Sequence, residues 1–155
     1  MCAAKNSSRS RPERLALPPG VTLVSVASLR HIEGLSSKRV TWLVAKMEKE
    51  QLWTRALCLA AVKDASGKVV HLVMDGQHRT EAALRLGLRD VPAQLFDYHD
   101  VEIWSLRPSQ EVTVERVIEK SLANDPYPYK TVKHRFTTPT PELSVPLSAL
   151  KKGAP

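Results

Sequence analysis

The sequence predicts a single α+β domain, and three observations predict it. At 155 residues with a 43% apolar fraction, the chain can bury one core and not two. Short apolar runs at 21–26, 56–62, 69–74 and 91–96 are interleaved with segments of helical character at 38–51, 77–86 and 112–123. One junction passes from strand to helix across only Asp75 and Gly76.

Each element has a local reason. After Pro18-Pro19-Gly20, Val21 to Val26 (VTLVSV) is compact and β-branched, and reads as a strand. Residues 29–35 lack a helical period and read as a loop, after which Ser36 and Ser37 offer an N-cap. Val40, Leu43, Val44 and Met47 fall at i, i+3, i+4 and i+7, so 38–51 is an amphipathic helix with Lys38, Lys46, Glu48 and Lys49 mostly outward. The runs 56–62 and 69–74 flank the turn Asp64-Ala65-Ser66-Gly67 and form a hairpin. Gln77 to Leu86 has a helix composition and is closed by Gly87. Pro92, lacking an N–H, argues that the strand at 91–96 is an edge strand or begins there. Val114, Val117, Ile118 and Leu122 form one stripe of a helix over 112–123, followed by the loop Asp125 to Tyr129. From 137 onward, Pro139, Pro141 and Pro146 imply an extended segment closing over the domain, with a disordered end as the alternative. The expected division is a basic disordered tail (1–19), a domain (20–136) and a proline-rich extension (137–155).

Composition excludes several classes. No run approaches the roughly 18 apolar residues that span a bilayer, so no membrane insertion is expected. The polar, basic amino terminus lacks an apolar signal core, and a cytoplasmic location is expected. Cys2 and Cys58 form no disulfide framework or zinc site, and His31, His71 and His99 have no metal-ligand spacing. The net charge is +7, but residues 1–19 hold three of those charges and the last five residues two, leaving +2 for 20–150. That body is no platform for a duplex, and only the tails could touch nucleic acid, weakly.

The junction at 75–80 is the segment that can carry chemistry. A strand feeding a helix directly leaves the helix's first N–H groups unpartnered, and Gly76 lets a ligand approach the backbone. Gln77, His78, Arg79 and Thr80 then add donors beside the positive end of the helix dipole, an arrangement suited to phosphate. The same residues also fit a bland reading, with Asp75 capping the helix and Arg79 solvated.

Met74-Asp75-Gly76-Gln77-His78-Arg79, an alanine- and leucine-rich helix, and Gly87-Leu88-Arg89-Asp90-Val91-Pro92-Ala93 together resemble the D-G-x-H-R…A…L-G…V-P pattern of the ParB/sulfiredoxin-like superfamily over residues 21–98. The resemblance implies a small mixed sheet flanked by helices. Within the superfamily the chain is most similar to free L-serine kinases, including those of siderophore pathways. Glu33 lies in the loop after the first strand, where those kinases keep an essential glutamate. Lys130-Thr131-Val132-Lys133-His134 resembles their K-T-x-[KR]-H segment, and Trp104 stands where they place a substrate-pocket tryptophan. The chain looks shorter than those kinases, which implies a pocket trimmed or completed by a partner subunit, as in a homodimer. Gln77 replaces the nucleophilic cysteine of sulfiredoxins, which excludes their chemistry. A G-Q-H-R box and a short carboxy-terminal part replace the G-E-R-R box and helix-turn-helix of chromosome-partitioning ParB proteins.

The resemblance implies phosphoryl transfer from ATP or ADP, with Mg²⁺, to the hydroxyl of free L-serine or a close hydroxy-amino acid, giving O-phosphoserine. Gly76, Gln77, His78, Arg79 and Thr80 would hold the nucleotide. Asp75 would orient Mg²⁺ or the substrate hydroxyl, and Glu33 would be the base. Lys133, His134 and Arg135 are candidates for binding the substrate carboxylate, with Trp104 as a wall. Taken without the resemblance, Glu33 is a solvated loop carboxylate, Trp104, Tyr127 and Tyr129 are packing, and 133–135 is a solvated basic run. The alternative functions are a ParB-like nucleotide-dependent nucleic-acid-binding regulator using the basic tail and, more weakly, a nuclease.

Overall fold

Two long strands with alternating apolar faces organise the molecule, whose computed structural model describes residues 15–151. In chain order the elements are β1 (Thr22–Ser25), β2 (Leu29–His31), α1 (Ser37–Glu50), β3 (Leu52–Arg55), β4 (Leu57–Lys63), β5 (Val69–Asp75), α2 (Gln77–Arg85), β6 (Asp90–Leu95), β7 (Glu102–Ser105), α3 (Val114–Leu122), β8 (Val132–Arg135) and β9 (Glu142–Pro146). Five strands form a mixed sheet in the order β1-β6-β4-β5-β2. The β1–β6 and β4–β5 pairs are antiparallel, whereas β4–β6 and β2–β5 are parallel. Two smaller antiparallel pairs, β3–β9 and β7–β8, complete the structure. This is a mixed α+β architecture in which helices flank a small sheet.

Period-2 alternation sends side chains of β4 and β5 into two different cores. Leu57, Leu59 and Val73 join Met47 of α1, Ala82 and Ala83 of α2, and Trp53, Leu143 and Val145 of the β3–β9 pair. Ala60, Leu72 and Met74 instead meet Tyr98, Val117 of α3, Tyr127 and Val132 of β8. The sheet is thus covered on both faces, and β5 ends at Asp75 where those two layers part.

Most elements lie where the periodicity puts them. Ser36 caps α1, its hydroxyl accepting from Arg39 N at 3.2 Å. Gly87 adopts φ +72° just past α2, as the sequence leads one to expect of a residue that stops a helix. Two expectations are corrected. Residues 29–31 are not loop but β2, an edge strand parallel to β5, too short to show a period. β6 is an interior strand despite Pro92, because its ladder with β4 begins at Ala93, one residue beyond the ring, and only Leu23 of β1 stands opposite the proline. β3 gave no signal at all in the sequence.

The segment from 142 is extended and pairs with β3, and Leu147 and Leu150 are fully buried. The Leu150 carbonyl accepts from Arg89 N at 2.7 Å and Asp90 N at 3.2 Å, tying the segment to the start of β6. Leu15 and Leu17 also rest against this core. Cys2, Lys5, Arg9, Arg11, Glu13, Arg14 and Lys152 lie outside the described residues. No helix among the described residues is long and apolar enough to cross a membrane.

Because Leu150 closes the core from the far end of the chain, Leu150→Ala is expected to lower stability by about 2–5 kcal/mol, read from the urea midpoint at constant slope.

Candidate functional site

The turn from β5 into α2 is tight. Gly76 has φ +110°, and a Cβ there would collide with the Leu57 side chain and lie 3.2 Å from Arg79 Nη2. Only glycine fits this position. The first helical bond runs from Thr80 N to the Gly76 carbonyl at 2.9 Å, so the N–H groups of residues 77–79 precede the ladder and are free of it.

Helical spacing divides the five residues of the turn between two tasks. Gln77, Thr80 and Ala83 share the inward face and are buried. Thr80 Oγ1 is buried without a partner, so the hydroxyl does not reach the ligand-facing side as the sequence reading expected. The Gln77 side chain is likewise committed inward: its Nε2 donates to the Val73 carbonyl, and its Oε1 accepts from His31 Nδ1 at 2.8 Å and Ile32 N at 3.4 Å. His78 and Arg79 face the other way. Asp75 does not cap the helix; its carboxylate lies 3.6 Å from Arg79 Nη2 and is half-exposed. Burial opposes the charge on Arg79 and Asp75 supports it, while Arg79 Nε has no partner.

Gln77 and His78 clamp the loop that carries Glu33. Gln77 holds it at His31 and Ile32, and His78 Nε2 accepts from Ser36 N at 3.1 Å. Accepting there requires Nε2 to be unprotonated, and burial, reinforced by Arg39, His31 and Arg79, lowers the His78 pKa accordingly. Between these anchors the backbone of Glu33 bridges Tyr127, with Gly34 N donating to the Tyr127 carbonyl at 2.8 Å and Tyr127 N to the Ile32 carbonyl at 2.9 Å. Glu33 Oε2 accepts from Thr131 N at 2.8 Å. Burial pushes the Glu33 carboxyl up from its ordinary value, against the pull of the 130–132 backbone N–H groups and the Arg107 charge.

The β7–β8 pair closes the far side. Trp104 stands opposite Lys133 and is 37% exposed. Arg135 Nε lies 3.2 Å from Glu102 Oε1, and its guanidinium sits 6.0 Å from the Trp104 ring centroid. His134 Nε2 is 2.8 Å from the Tyr98 hydroxyl. Burial drives the His134 pKa down to about 4, with Asp75 opposing, so the ring is neutral near pH 7 and is not the cation that the sequence suggested. Burial foremost, then the charges of Tyr127 and Glu33, raises the Tyr98 hydroxyl. Glu33 and Asp75 therefore act electrostatically on the two members of one hydrogen-bonded pair.

Two adjoining hollows open at the turn. The first, about 170 Å³, is lined by Gly76 to Arg79 and by Arg39, Trp42 and Leu43 of α1. The second, about 530 Å³, is lined by Ser36, Lys38, Arg39, Trp42 and Tyr129. Glu33 lines neither. Arg39, Trp42, Tyr98 and Arg107 escaped the sequence reading, which took Tyr129 only as packing; Trp42, a large apolar residue off the α1 stripe, is the one of them that the sequence could have flagged. Among the described residues no three His, Cys, Asp or Glu side chains cluster as a metal cage. Asp75, half-exposed beside Arg79, is the carboxylate of the turn that could join phosphates and water around Mg²⁺, an ion held by one or two carboxylates in that way.

No family model matches the chain, and no curated protein matches it. Solved structures do. SbnI from Staphylococcus aureus, with a C-terminal truncation, superposes with a TM-score of 0.74 at 13% identity, over 86% of this chain and 90% of that one. A free serine kinase in complex with AMP gives 0.74 at 13%, over 84% and 93%. A conserved hypothetical protein from Pyrococcus furiosus gives 0.74 at 11%, over 88% and 99%. The fold is the ParB/sulfiredoxin-like one, shared with free serine kinases. The matched span takes in nine-tenths or more of each of these solved chains.

Gln77→Ala is expected to cost about 1–3 kcal/mol and to speed amide hydrogen exchange at Ile32, because a buried acceptor network is lost. Between its ordinary pKa and about 4, His134 binds a proton in the unfolded chain but not in the folded one. Stability should therefore fall as pH drops through that window, and His134→Gln should flatten the fall in denaturant midpoints measured at pH 7 and pH 4.5.

Proposed function

We propose that this chain is a phosphotransferase that moves a phosphoryl group from ATP or ADP to the hydroxyl of free L-serine or a close hydroxy-amino acid, giving O-phosphoserine. The observation that carries the reading is the clamp. A half-buried carboxyl with a raised pKa, Glu33, sits on a loop fastened at both ends to a glycine turn with unpartnered N–H groups. The shared fold supports it, because the neighbours include free serine kinases in complex with AMP and with ADP.

The residues divide the work as follows. The N–H groups of 77–79 and the Arg79 guanidinium bind the terminal phosphates, with Gly76 allowing close approach. Gln77 and His78 act through their backbone and by positioning the 32–36 loop. Glu33, as carboxylate, accepts the proton of the substrate hydroxyl as its oxygen attacks the terminal phosphorus. The new O–P bond forms while the bridging P–O bond breaks, and the nucleotide leaves one phosphate shorter, carrying the electron pair. Asp75 would hold Mg²⁺ together with the phosphates, and the ion would neutralise charge developing on them. Lys133 is the exposed cation available to the substrate carboxylate beside Trp104, while neutral His134 holds Tyr98 and Arg135 is engaged with Glu102.

Incubation with serine and each nucleotide, followed by mass spectrometry of phosphoserine, is the direct test. Turnover is expected, with Glu33→Gln slower by about 10²–10⁴-fold. The acid limb of the wild-type rate profile should lie above 4.5, the ordinary glutamate value, because burial favours the protonated form and only the deprotonated form is a base. Absence of turnover with every hydroxy-amino acid, or full activity in Glu33→Gln, overturns the reading.

A further inference from the structure

We propose that Trp42 is the platform on which the base of the nucleotide stacks, so that the outward face of α1 forms half of the binding site. The inference rests on the phosphotransferase reading and extends it to a residue which that reading leaves without a role.

Trp42 is 62% exposed, although it is among the largest apolar side chains of the molecule. α1 already buries its own stripe through Val40 and Met47, so nothing in the packing of that helix requires a tryptophan at position 42. Its ring belongs to both hollows at once. One is walled by the glycine turn, where Arg79 Nε is buried and has no partner, and the other by Tyr129 across from it. Arg39 lines both hollows as well, and Lys38 lines the larger.

This layout matches the anatomy of a nucleoside diphosphate. The smaller hollow offers N–H groups and a guanidinium to phosphates, whereas the larger has the size of a small-ligand pocket and two aromatics, Trp42 and Tyr129, in its lining. Tyr129 is held in place by His78, the rings meeting edge to face with centroids 5.6 Å apart. Trp42 is flanked by Lys46, whose Nζ is 5.8 Å from the ring centroid. Every base has a π-face, so stacking gives affinity without demanding a particular base, and cations around the rings favour an anionic ligand. Because the ring is mostly solvated, removing it leaves the core untouched.

Isothermal titration with ADP and with pyrophosphate, both in Mg²⁺ buffer, tests the assignment. The wild-type chain is expected to bind ADP at least ten-fold more tightly than pyrophosphate. Trp42→Ala should bring the two affinities within about three-fold by weakening ADP alone, and Trp42→Phe should restore most of the difference. If Trp42→Ala binds ADP as tightly as wild type, the platform is overturned while the phosphotransferase reading stands. If the wild-type chain binds neither ligand, both fall.

Discussion

A single buried amide holds the candidate site together. Gln77 is the first residue of α2, and its side chain turns back under the helix to bond the Val73 carbonyl of the preceding strand, the His31 side chain at the end of the edge strand and the Ile32 backbone N–H just past it. A helix start, a strand end and a loop start are thereby fixed to one another. His78 repeats the connection one residue later at Ser36, so the five-residue loop bearing Glu33 has little freedom left. The Glu33 loop is thus fixed against the glycine turn by one side chain buried beneath the helix and by another on its outward face.

Electrostatics follows from that placement. Glu33 loses solvent because Tyr127 and the 130–132 backbone close over its loop, and the same closure brings it within reach of Tyr98. On the opposite flank, Asp75 stays half-exposed because Gly76 turns the chain away at that point. Two carboxyl groups thus have different surroundings, one desolvated and one paired with Arg79. Groups of one chemical type acquire separate roles when their environments push them apart.

Four of the five sheet strands, the three helices and the glycine turn were legible because each rests on a local rule: short apolar runs, an i, i+3, i+4, i+7 stripe, a Ser cap and a Gly stop. Failures came where tertiary context decided. Leu29 to His31 is a strand only because β5 offers an edge. Pro92 sits inside the sheet only because the register with β4 starts one residue later. In the site, Asp75, Gly76 and Arg79 were visible as residue types in a turn. The inward commitment of Gln77 and Thr80 was not, since their spacing with Ala83 acquires meaning only once the sheet lies beneath the helix. The neutrality of His134 and the part played by Tyr98 depend on burial, which no run of letters displays.

The pairing of β3 with β9 bears on how the molecule is made. Arg55 has its ladder partner at Glu142, and Trp53 and Leu150 share one core, so β3 emerges from the ribosome long before anything can cover it. Until the distal strand arrives, its edge and the indole behind it stay open to solvent, and to chaperones or other nascent chains. Acquisition of the native state in this half of the protein therefore waits on the distal strand, and abundance in a cell will depend on how well that interval is guarded.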